Sequence, residues 1–123
     1  MHDPMQPILA MTRLTDLRVH VAQSGLSIGD SATAAGTSDG SVAIFAPVRR
    51  YLLGLFRHHP MRLLGHLSPA ASGLIAPALR AGQPFRVRIV GLTPEHLAPE
   101  PEVHISIWGD PKRLMLAQPF SPV

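Results

Sequence analysis

The sequence predicts a small α+β protein, a mostly antiparallel β-barrel or sheet with two helices, forming a single domain over residues 1–123. Three observations support this fold class. Several short segments alternate apolar and polar residues as half-buried strands do, and two other stretches have helical periodicity. The third is the length of 123 residues, which suits one domain with one modest core.

Five segments are predicted as strands. Alternation is clearest at 17–21, 85–92 and 103–108, where every second residue is apolar. The nearly continuous apolar run at 41–46 is typical of a central strand. Because alternating segments that follow one another usually pair, we expect 85–92 and 103–108 to be antiparallel neighbours. The fifth segment is 61–67.

Two segments are predicted as helices. Residues 48–56 carry apolar side chains at i, i+3, i+4, i+7 and i+8, the stripe of an amphipathic helix. Ser68 and Pro69 are a typical N-cap and first helical residue, and Gly82 is a typical end, so a second helix is predicted to reach residue 81. Pro77 should kink this helix or split it into two short turns.

The remaining segments are predicted as irregular. Residues 1–13 form an extended lead segment with two prolines, and residues 109–123 form an irregular tail with three. Residues 24–41 are rich in Gly, Ser, Thr and Asp and are predicted as a loop, with a short strand at Leu26 and Ile28 as an option.

Composition excludes several function classes. Without cysteine there can be no disulfide or thiol-ligated metal, and a cytoplasmic location is expected. No apolar run suggests a membrane span, and the N-terminal residues lack the basic start of a secretory signal. No motif of a metal site, a nucleotide-binding loop or a catalytic triad is found, so we predict no metal, no cofactor and no enzymatic activity.

The distribution of charge is the main functional clue. The segment 40–94 contains no acidic residue, and all eight acids lie before or after it. Arginine suits phosphate because its planar fork is always charged and donates two hydrogen bonds. The open alternatives are a solvated surface paired with the flanking acids and a protein interface. The seven arginines of the segment are Arg49, Arg50, Arg57, Arg62, Arg80, Arg86 and Arg88.

The polar positions of the predicted strands indicate where such a site would lie. If 17–21, 85–92 and 103–108 share a sheet, arginine and tryptophan occupy the same open face. Bases stack on rings and arginine follows the backbone in proteins that bind single-stranded nucleic acid. The predicted nucleic-acid-binding residues are Arg18, Arg62, Arg86, Arg88, His104 and Trp108.

A family resemblance begins at Arg62. The segment 62–92 (RLLGHLSPAASGLIAPALRAGQPFRVRIVGL) resembles the HIRAN domain, in which a strand ends in an I-G-Y-L-P-like turn, a helix has an L-A-P-L-L-like centre, and a strand ends in V-G-like residues. The family also carries an N-x-x-D-x-N-A-like stretch, where this chain has GTSDGSVAIF, and a short turn where 48–59 lies. The resemblance implies binding of single-stranded DNA.

Two functions are therefore weighed. The first is a non-catalytic module that binds nucleic acid, single-stranded DNA above all, through an arginine-rich strand face. The second is a protein-interaction or homodimerising regulatory module that offers the apolar stripe of the 48–56 helix to a partner.

Overall fold

A computed structural model describes residues 5–48, 50–52, 56–58 and 61–117. The described residues form eight strands, two α-helices and one short 3₁₀ turn at Val21–Gln23. The helices are α1 (Pro69–Arg80) and α2 (Pro111–Ala117). The strands are β1 (Gln6–Arg13), β2 (Ser31–Gly36), β3 (Val42–Pro47), β4 (Arg50–Leu52), β5 (Phe56–His58), β6 (Met61–His66), β7 (Arg86–Thr93) and β8 (Glu102–Gly109).

Six strands form one antiparallel sheet in the order β1-β8-β7-β2-β3-β6. The sheet is not closed into a barrel, so β1 and β6 are its edges. The α+β class is thereby confirmed, in its open-sheet form. The predicted strands at 41–46, 61–67, 85–92 and 103–108 correspond to β3, β6, β7 and β8, and β7 pairs with β8 as expected.

The core lies between the sheet and α1. Ile44, Leu64, Ile75, Ile89 and Ile105 are fully buried there, which explains the apolar run of β3 and the alternation of β7 and β8.

Helix α1 begins as predicted. The Ser68 hydroxyl accepts a hydrogen bond from the backbone N–H of Ala71 at 3.2 Å, and Gly82 has a φ of +78° just after the helix. Ser72 ties α1 to β3, because its hydroxyl accepts from the N–H of Val42 at 3.1 Å. The helix continues through Pro77 as one element, so the predicted split into two turns is wrong.

The predicted strand at 17–21 is wrong, although its alternation reflects burial: Val21 is buried while Arg18 and His20 are exposed. The segment only touches the edge of β6, through a bridge between Thr15 and His66 and a hydrogen bond from Arg18 N to Leu64 O at 2.8 Å. The left-handed backbone of Asp16 (φ +53°) and the 3₁₀ turn prevent a regular ladder.

The loop predicted at 24–41 contains β2, which is a second correction. Its alanine and glycine residues have little strand propensity, but β3 and β7 on either side supply backbone partners. Its small side chains at Ala32 and Ala34 are partly buried against the core. Leu26 is buried and Ile28 is exposed, and neither lies in a strand.

The predicted helix over 48–56 is also wrong, because β4 and β5 pair antiparallel within the connection between β3 and β6. Apolar spacing in so short a run cannot distinguish a helix from a strand. A helix of nine residues is only marginally stable unless it packs. Since β3 and β6 are antiparallel neighbours, a connection that turns back on itself satisfies its own backbone hydrogen bonds.

Both termini differ from simple irregular segments. The predicted lead segment is β1 over 6–13, where it pairs with β8. The irregular tail is wrong over 109–117. Gly109 ends β8, and Asp110 starts α2 by accepting the N–H of Lys112 at 3.0 Å, with Pro111 at the first helical position. Residues 118–123 lie outside the described residues.

Candidate nucleic-acid interface

The side of β7 and β8 that faces away from the core carries four of the six predicted residues. Val87 and Ile89 of β7 are buried, so Arg86 and Arg88, which alternate with them, are exposed on the opposite side. In β8 the same alternation places the half-buried His104 and Trp108 and the buried Ser106 on this side, which is called the outer face below. Its predicted binding residues are Arg86, Arg88, His104 and Trp108.

The pairing register sets their arrangement. Arg86 is the direct partner of Trp108 across the two strands, and Arg88 is the partner of Ser106. Directly opposite residues of an antiparallel pair have Cβ atoms about 4.5–5.5 Å apart. Arg86 and the partly exposed Trp108 are therefore direct neighbours on the outer face, and Arg88 follows two residues along β7.

The two arginines of the outer face are not neutralised by carboxylates. Within the described part of the chain, neither Arg86 nor Arg88 forms an ion pair. Arg88 donates one hydrogen bond from Nη1 to the Gly29 carbonyl at 3.2 Å, which orients its side chain. Four of its five N–H donors therefore make no hydrogen bond to the described residues.

The opposite end of the outer face is different. His104 lies against Gly91, where a Cβ would come within 3.2 Å of the histidine Cβ. Arg13 on β1 is its partner on the other side and forms ion pairs with Glu100 (3.4 Å) and Glu102 (3.2 Å). The outer face thus has an unpaired cationic end at Arg86 and an internally paired end at His104.

Arg18 and Arg62 are not on the outer face. Arg62 is the register partner of Ala46 on β3, which is fully buried, so both side chains project on the core side of the sheet. Arg18 lies on the segment that crosses the β6 edge. Together they line a cleft of roughly 240 Å³, called the Arg18–Arg62 cleft below, whose other lining residues are Val19, His20, Gln23, Ser24 and Val48.

A carboxylate from the β7–β8 connection lies next to His20, one of the residues that line this cleft. Glu95 accepts hydrogen bonds from the N–H groups of Val21 (2.8 Å) and Ala22 (3.0 Å), and its Oε1 lies 3.7 Å from His20 Nδ1. Burial acts to raise the pKa of Glu95, but these backbone hydrogen bonds and His20 hold it below its ordinary value. The carboxylate therefore stays ionised and keeps the 3₁₀ turn in place.

Sequence reasoning missed two parts of this arrangement. Arg13 was assigned to a lead segment, although it stands beside His104 in the sheet. Glu95 was counted only as an acid beyond the basic segment. Its role could not be read from the sequence because its partners, Val21 and Ala22, lie more than seventy residues away.

No known protein family, curated protein or solved structure matches the chain. The HIRAN resemblance therefore remains a prediction. None of the described helices is long and apolar enough to cross a membrane. Among the described residues, no three histidines, aspartates or glutamates are grouped to hold a metal ion.

Proposed function

We propose that the outer face binds single-stranded DNA and that the protein is a non-catalytic nucleic-acid-binding module. The observation that carries the proposal is the cross-strand pairing of Arg86 with Trp108, with Arg88 next on the same face and no carboxylate bound to either arginine in the described residues. A cation beside a ring on an exposed sheet is the combination that single-strand binders use.

Each residue has a separate role in the proposed complex with DNA. Arg86 and Arg88 project from one strand about 6.8 Å apart, at about 3.4 Å per residue, and each guanidinium group holds a phosphate through two hydrogen bonds. Trp108 stacks on a base, and Arg86 beside it adds a cation–π contact. None of these contacts reads a base edge, so the proposed binding is tolerant of sequence.

The test is a titration with a short oligothymidylate, followed by intrinsic fluorescence. Trp108 is the only tryptophan of the chain, so quenching reports the proposed stacking directly. For single strands the slope of log affinity against log salt is about −0.7 per phosphate held. We expect Arg86→Gln and Arg88→Gln each to reduce its magnitude by about 0.7, and Trp108→Ala to weaken binding by about 1–3 kcal/mol.

Arg80→Gln is the matched control. Arg80 is an exposed arginine at the end of α1, also without an ion pair in the described residues, but it lies off the outer face. Affinity and salt slope should remain those of the wild type. The proposal fails if no binding is seen at about 50 mM salt, or if Arg80→Gln has the same effect as Arg86→Gln.

The alternative of a protein-interaction or homodimerising module depended on an apolar helical stripe over 48–56. Since the described part of that segment forms the β4–β5 pair, the observation that motivated this alternative is gone.

A further inference from the structure

The Arg18–Arg62 cleft is separate from the outer face. Arg62 projects on the core side of β6, whereas Arg86 and Arg88 project on the opposite side of β7. The β6 edge brings the two cleft arginines together, because Arg18 N donates to the carbonyl of Leu64, two residues from Arg62. A ligand held here would not have to contact the outer face.

The two cleft arginines differ in their acidic partners. Arg18 shares its charge with Asp16, whose carboxylate lies 2.7 Å from the guanidinium group. Glu95 faces His20, but its two oxygens are occupied by backbone N–H groups. Arg62 forms no ion pair with any described residue. Arg62 is therefore the cleft arginine without a carboxylate partner in the described residues, whereas Arg18 is paired with Asp16 and the ionised Glu95 adds a negative charge near His20.

The neutral side chains that line the cleft would strengthen the binding of an anion. Val19 and Val48 supply apolar walls, and Val48 is almost completely buried. Apolar walls exclude water and strengthen the attraction between a bound anion and a guanidinium group. Gln23 adds a neutral carboxamide donor at the rim.

We propose that the Arg18–Arg62 cleft is a second anion site that binds a phosphomonoester. Two guanidinium forks match the several oxygens of a terminal phosphate better than a carboxylate, which offers only two. A free nucleotide and the phosphorylated end of a nucleic-acid strand carry this same group. The proposal holds whether or not the outer face binds DNA.

The first experiment is an NMR titration with inorganic phosphate at constant ionic strength, observing the arginine Nε–Hε resonances. The resonances of Arg18 and Arg62 should shift with saturation, and those of Arg86 and Arg88 should shift little. Arg62→Gln should weaken phosphate binding by about tenfold or more, since a charge-assisted hydrogen-bond pair is lost. Arg80→Gln serves again as the control and should bind as the wild type does.

Asp16→Asn should change the affinity for phosphate in the opposite direction to Arg62→Gln. Asparagine has nearly the same shape and tolerates the left-handed backbone of Asp16, but it frees Arg18 from its ion pair. Phosphate should then bind several-fold more tightly. Destabilisation of the fold alone cannot produce tighter binding, so this variant separates a binding effect from a folding effect.

Two further ligands identify the source of the phosphate. If a 5′-phosphorylated oligothymidylate binds more tightly than its 5′-hydroxyl form, and Arg62→Gln removes this difference, the cleft binds the end of a nucleic-acid strand. Binding of adenosine 5′-monophosphate without that difference would assign it to a free nucleotide. The proposal is overturned if no phosphate compound saturates the Arg62 resonance, or if Asp16→Asn does not tighten binding.

Discussion

Gly65 lies where another part of the backbone passes close to β6. The segment around Thr15 crosses β6 at this residue, and a Cβ at position 65 would lie 2.6 Å from the Thr15 carbonyl oxygen. Real Cβ atoms do not approach a carbonyl so closely, and neither partner is a flexible side chain. Gly65→Ala must therefore push the crossing segment away from β6.

The size of the effect follows from the bonds at the crossing. Thr15 N donates to His66 O and His66 N donates to Thr15 O, both at 2.8 Å, and Arg18 N donates to Leu64 O at the same distance. Forcing an extra methyl into a packed site costs about 1–3 kcal/mol. Each weakened hydrogen bond adds about 0.5–1.5 kcal/mol. We expect the free energy of unfolding to fall by about 2–4 kcal/mol.

Urea denaturation and thermal unfolding measure this loss. At this chain length about 1 kcal/mol corresponds to roughly 4 °C, so the midpoint should fall by roughly 8–16 °C. Gly73→Ala is the matched control, because no atom lies within 4 Å of a Cβ built there, on the exposed side of α1. It should stabilise the protein by about 0.5–1 kcal/mol. The reasoning is refuted if Gly65→Ala unfolds at the wild-type midpoint.

Two further substitutions test contacts that hold the sheet to its surroundings. Ser72→Ala removes a buried hydroxyl that accepts from the Val42 N–H and donates to the Leu67 carbonyl at 3.3 Å. Urea denaturation should show that the free energy of unfolding falls by about 1–3 kcal/mol. The control is Ser27→Ala at an exposed position, which should lower it by less than about 0.5 kcal/mol. Glu95 has a folded-state pKa below its ordinary value of 4.5, so its stabilising contribution is complete above that pH and is lost as the pH falls through the folded pKa. The wild type should therefore exceed Glu95→Gln in stability at about pH 7 by more than at about pH 3, and an equal difference at both pH values would contradict the prediction.

Local sequence signals predicted those elements whose contacts are mainly local or strongly apolar. The N-cap at Ser68 and the buried run of β3 are examples, since capping and burial are visible in a few adjacent residues. Asp110 and Pro111 carry a start signal of the same kind for α2, and it was overlooked because the prolines near it suggested an irregular tail.

The errors occurred where distant neighbours decide the structure. Strand β2 forms from residues with low strand propensity because β3 and β7 border it. The 17–21 segment has the alternation of a strand but lacks a continuous partner, since Asp16 and the 3₁₀ turn leave only isolated contacts with β6. Alternation therefore predicts which side chains are buried more securely than it predicts backbone pairing.

The basic segment 40–94 illustrates the same limit for function. Its arginines are close in sequence, yet β6 and β7 present Arg62 and Arg86 on opposite sides of the sheet. Acids from beyond the segment also lie near the cleft: Asp16 pairs with Arg18, and Glu95 lies 3.7 Å from His20. A linear charge count therefore cannot distinguish one large anion site from two small ones. Strand register and ion pairing support the two proposed sites, each with a guanidinium group that has no carboxylate partner in the described residues.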